Sequence, residues 1–225
     1  MSGGELVGNY IKTSKHPKSV RAIQLLSYLD LLTILAAVMT FIYFSLENPG
    51  GGDSLIFFLI TFLIMLAGSL NSAIGISLPN SGKFEYFRPA LVSFTVCSLV
   101  GIINGIKEMS SADTNLSESI SAMYYFSFFL ICFVSNVINL HFFAEKIPRK
   151  AAVISSTIQT LAILVYILFM IYAKVNSSGF FTAYTTKQVT IIFMCNVIML
   201  ITMVTTLLEV LIKPPFSGKS TNDDR

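Results

Sequence analysis

No tryptophan occurs in this chain, histidine occurs twice, cysteine three times, and charged residues make up only 12% of its 225 positions. Soluble domains carry roughly 25% charge. With 54% apolar residues and a mean hydropathy of +0.73, so little charge could not clothe a water-soluble fold. The same composition excludes a disordered chain. The missing tryptophan leaves phenylalanine and tyrosine to supply any interfacial belt. Cys97, Cys132 and Cys195 all fall inside apolar stretches, which offers neither a disulfide framework nor a metal cluster and makes them small packing residues. Catalytic signatures are missing as well: there is no His-Glu-x-x-His, no Gly-x-Ser-x-Gly and no acidic DDxxD run. Ser217-Gly218-Lys219-Ser220 has the ending of a phosphate-binding loop without its earlier glycine.

Long apolar runs are what the sequence does contain. Six stretches, 22–46, 54–78, 88–107, 119–143, 151–173 and 188–212, are each long enough to cross a hydrocarbon core, which takes roughly 20 helical residues. They are continuous rather than alternating, so the expected fold is all-α: a polytopic membrane protein whose six transmembrane helices form a compact bundle. Proline supports the division independently. All seven prolines (17, 49, 79, 89, 148, 214 and 215) lie outside the span interiors, with Pro89 in a helix's first turn. Pro49-Gly50-Gly51-Gly52 and Pro79-Asn80-Ser81-Gly82 read as the turns after the first two spans.

Lysine and arginine set the expected orientation. Residues 1–21, the second and fourth loops and the tail 213–225 share one side of a six-span chain. That side holds twelve basic residues, and the other only Lys107, Lys174 and Lys187. Both termini are therefore expected in the cytoplasm. The basic, polar first 21 residues lead into a run too long for a cleaved signal, so the first span is expected to be a retained anchor. Two N-x-[ST] sequons, at Asn115 and Asn176, fall in loops of the opposite side, where glycosylation takes place.

Polar groups inside spans are costly and are functional candidates by default. Asp30 stands eight residues into the first span, roughly 12 Å deep at 1.5 Å per residue. Asn71 and Asn136 each stand seven residues before the inner end of a span running the other way, at about the same depth. Asn139, His141 and Glu209 approach the same surface, so these six residues form a candidate polar cluster in the cytoplasmic third. His141 also has Glu145 one helical turn away, a pair short of the ligand count a metal site needs. The cluster has two readings. Asp30 is a cation-binding or protonatable group with the amides as neutral ligands, or these groups hydrogen-bond across helices and pin the bundle.

Small residues recur at three- and four-residue steps: Gly68, Ser72 and Gly75 in the second span, and Ser93, Cys97, Gly101 and Gly105 in the third. Such stripes let helix backbones approach closely, and packing within one chain is the first expectation.

Three functions fit these features. One is a non-enzymatic structural, accessory or membrane-organising protein, whose partners are the lipid bilayer and other membrane proteins. Another is a small secondary transporter or channel built on the polar cluster. The third is an intramembrane lipid-modifying enzyme using His141 with Asp30 or Glu209. No cofactor, metal or nucleic-acid partner is implied.

Overall fold

A computed structural model describes residues 17–47, 55–81, 88–111, 116–175 and 186–213. Asn115 and Asn176 lie outside the described residues. Among those described the chain is all-helical. It contains α1 (Pro17–Glu47), α2 (Leu55–Ser81), α3 (Arg88–Ser111), α4 (Leu116–Phe143), α5 (Arg149–Val175) and α6 (Thr186–Ile212), with no strand. Many of their residues are β-branched and favour strands in water. In hydrocarbon, however, each backbone N–H and C=O must pair within its own segment, and that demand outweighs side-chain preference.

Each helix contains a stretch long and apolar enough to cross a membrane: Lys18–Ser45, Phe57–Leu78, Arg88–Ser110, Met123–Phe143, Arg149–Tyr172 and Gln188–Ile212. These follow the stretches read from the sequence to within a few residues. Two ends differ. The first stretch begins at Lys18, and α2 runs on through Ser81, so that Pro79 belongs to its last turn rather than to the following loop. A proline there removes one hydrogen bond near a helix end, where the loss is small.

Burial runs opposite to that of a soluble bundle. Asp30, Asn139, Gln159 and Glu209 are fully buried, whereas Leu25 is 69% exposed, Met39 68% and Ile154 60%. An apolar exterior around an interior that buries acids and amides is stable only where the solvent is itself apolar, the architecture of a multi-pass integral membrane protein.

Each helix packs on its neighbours in sequence, α1 closes the ring against α6, and α2 also reaches α6 across it. Two apolar clusters fill the interior. The larger includes Ile34, Ala67, Cys132, Ile163, Ile198 and Met203. The smaller, at the end where the chain enters α1 and leaves α6, is built from Ile23, Leu78, Leu91, Phe142, Phe143, Ala152 and Val210. On α1, α2, α4, α5 and α6 most of the buried polar residues sit between these clusters, in a belt crossing the bundle, while Thr61, Gln188 and Asn196 lie level with the larger cluster.

The end beside the smaller cluster is tied together. α4 finishes in a Schellman turn, with Lys146 N donating to His141 O at 2.9 Å and Glu145 N to Phe142 O at 2.9 Å. Glu145 takes the left-handed conformation (φ 63°) that this turn requires. Its carboxylate lies 3.6 Å from Lys213 Nζ, Arg149 donates to Lys213 O, and Arg88 donates to Phe143 O. The starts of α3 and α5 and the end of α6 are thus fastened around one short turn.

Candidate functional site

The polar belt resolves into two groups, on different sets of three helices. The first joins α1, α2 and α6 at Asp30. Asp30 Oδ2 accepts from Ser72 Oγ on α2 at 3.0 Å and from Thr202 Oγ1 on α6 at 3.2 Å. Beside it Asn71 Nδ2 donates to Thr205 Oγ1 at 2.8 Å, and that hydroxyl donates to Thr202 O at 2.7 Å. Thr206 donates to the same carbonyl at 2.9 Å.

Close approach makes this group possible. A Cβ on Gly75 would stand 2.0 Å from Ser27 Oγ, and one on Gly68 would stand 2.5 Å from Ile198 Cγ2 and 3.1 Å from Ile34 Cδ1. Without side chains at these positions, α2 settles against α1 and α6 near enough for short hydroxyls to reach one carboxylate.

The second group joins α3, α4 and α5 at Asn136. Gln159 Nε2 on α5 donates to Asn136 Oδ1 at 3.0 Å, and Asn136 Nδ2 donates to Ser98 Oγ on α3 at 3.5 Å. One turn along, Ser156 Oγ donates to Asn139 Oδ1 at 3.0 Å, and Ser155 Oγ donates to Ser135 O at 3.3 Å. Gly101 and Gly105 bring α3 onto α4. A Cβ on the first would fall 2.3 Å from the Phe129 ring, and one on the second 3.0 Å from the Phe126 backbone. Ser93 and Cys97 belong to the other face of α3 and turn toward Leu63 O and Ile60 O of α2, at 3.4 and 3.9 Å. The stripes therefore pack against helices of the same chain.

The six residues of the candidate cluster thus do not share one site. Asp30 and Asn71 belong to the first group, Asn136 and Asn139 to the second. His141 is exposed, its Nδ1 2.8 Å from Val137 O of its own helix. Glu145, its neighbour one turn on, is turned to Lys213. Glu209 is fully buried on the α6 face that carries Thr202 and Thr206, seven residues and about 10 Å beyond Thr202.

Several of these partners carry little signal in the sequence. Gln159 is an amide eight residues into its span and was legible by the same depth argument as Asp30. Thr202 and Ser72 were not, because a hydroxyl in a helix also satisfies itself by bonding back to its own backbone. Thr33, Thr40 and Thr157 do this, at 2.8–3.0 Å.

Three carboxylate oxygens stand apart. Asp30 Oδ1 and both oxygens of Glu209 are buried with no hydrogen-bond partner among the described residues. Two grooves open on the apolar exterior, one between α1 and α2 and one between α4 and α5, and neither is lined by Asp30 or Glu209. Among the described residues no three of His, Cys, Asp or Glu are grouped closely enough to hold a metal ion.

Compared with protein-family models, characterised proteins and solved structures, the chain matches none.

Proposed function

We propose that this chain is a non-enzymatic structural or accessory membrane protein, working through other membrane proteins or the bilayer, with both termini and its basic loops in the cytoplasm. One observation carries the reading: Asp30 is fully buried, and one of its oxygens receives hydroxyls from two other helices. Such an acid joins three helices, two of which the Asn71–Thr205 bond also links. The basic residues Arg88, Lys146, Arg149, Lys150 and Lys213 gather at the bundle end that this orientation assigns to the cytoplasm.

A small secondary transporter or channel is the second reading, favoured by the partnerless oxygens of Asp30 and Glu209. Intramembrane acids lacking donors are common in ion and proton pathways. Asp30→Asn separates the two, because an amide oxygen still accepts both hydroxyls but takes up no proton in the working range and brings no charge to balance a cation. In proteoliposomes under proton, Na⁺ or K⁺ gradients, the structural reading expects no flux from either protein and similar melting temperatures. Flux in the parent that a folded Asp30→Asn variant loses would establish the transporter instead.

A further inference from the structure

We propose that the groove between α4 and α5 binds one anionic glycerophospholipid, with an acyl chain in the groove and the phosphate at Lys146 and Lys150. The groove has a volume of about 520 Å³ and is lined by Val134, Ser135 and Ile138 on one side and Ala151, Ile154 and Ile158 on the other. Small side chains form its floor and branched ones its rims. Its polar floor atoms are engaged with each other, since Ser155 Oγ donates to Ser135 O. The surface left is apolar.

Length and charge together select the occupant. From Leu130 to Ile138 the groove runs about 12 Å at 1.5 Å per residue, close to half of a roughly 30 Å hydrocarbon core. It therefore matches the chain of one leaflet. One helical turn beyond its inner end stand His141, after Ile138, and Lys150, before Ile154, with Lys146 in the turn between; all three are exposed. The acid in that turn does not cancel them, because Glu145 is paired with Lys213. Arg149 is turned aside to Lys213 O. Two exposed lysines and the first turn of a 27-residue helix then stand at the groove's inner end, where a headgroup phosphate would lie.

The α1–α2 groove supplies a contrast. It runs from Ile34 to Phe41, away from the basic end, and residues 42–60 contain Glu47 and Asp53 but no lysine or arginine. Its lining is as apolar, but nothing near it would recognise a phosphate. The proposal depends neither on the role of Asp30 nor on which side of the membrane the basic end faces.

The test is lipid retention by the full chain in nanodiscs of mixed phosphatidylserine and phosphatidylcholine, with co-purifying lipid counted by native mass spectrometry. The wild-type protein is expected to retain one phosphatidylserine at least about tenfold more readily than phosphatidylcholine, in keeping with two lysines at the surface. The surface variant Lys146→Gln/Lys150→Gln should bring the two lipids level. Val134→Phe fills the groove from its open rim and should release the bound lipid while both lysines remain. Equal retention of the two lipids by the wild type overturns the proposal, as does a preference that survives the double substitution. Undiminished phosphatidylserine retention by Val134→Phe also overturns it, because the lysines would then be attracting headgroups with no groove involved.

Discussion

Two polar groups at similar depth hold two sets of three helices, and they are built differently. Around Asn136 the side chains are neutral amides and hydroxyls that supply donors and acceptors to one another. Around Asp30 an acid accepts from two hydroxyls and, among the described residues, keeps a second oxygen without a partner, with Glu209 equally without one two turns along α6. A neutral network costs less to bury than a charge, even though Gln159 Oε1 and Asn139 Nδ2 find no partner among the described residues. A carboxylate offers only acceptors when ionised, and must draw every donor from its neighbours. An amide therefore links helices by giving and accepting at once, whereas an acid links them only through the donors they bring to it.

Substitutions in the two groups should reflect this contrast, and the largest effect is expected in the neutral one. Asn136→Leu breaks both the Gln159 and the Ser98 bonds and strands Gln159, whose Oε1 already lacks a partner. A loss of about 2–3 kcal/mol is expected, since two hydrogen bonds between helices are lost together and a buried amide is left without either. Thermal melting in detergent should fall by about 5–10 °C for a chain of this length. Asp30→Leu should cost less, about 1–2 kcal/mol. Ser72 and Thr202 can bond back to their own helices, and the partnerless oxygen goes with the acid. A greater loss for Asp30→Leu than for Asn136→Leu would reverse the comparison.

Glu209→Met should act in the opposite direction, raising stability by about 1 kcal/mol, because it replaces a buried, partnerless acid with an apolar side chain of similar volume. Urea unfolding in a bilayer mimetic would check the sign, and a clear loss would mean that Glu209 has a stabilising partner. The smallest effect belongs to His141→Ala. The ring is exposed and bonded only within its own turn, so stability should change by no more than about 0.5 kcal/mol.

The architecture was legible because length and hydropathy are properties of each segment alone. Depth was legible for the same reason: counting from span ends placed Asp30, Asn71 and Asn136 in one layer. Lateral position was not. Depth counting drew one cluster, but the ring of helices assigns Asp30 and Asn136 to different trios. Which helices face each other depends on side-chain fit between segments distant in the chain, as where Gly75 makes room for Ser27. Lys213 shows the same limit. In the sequence it is one more basic flanking residue, whereas in the fold it is 8% exposed, paired with Glu145 and stacked near Phe142 and Phe143.

The claim that Asp30 joins three helices is tested most directly by a double-mutant cycle between Asp30→Leu and Thr202→Val, followed by reversible unfolding in a bilayer mimetic. Valine removes the hydroxyl and keeps the shape. A helix-to-helix bond of this kind should give a coupling of about 0.6–1.7 kcal/mol. Strictly additive losses, with no coupling between the two positions, would contradict the account.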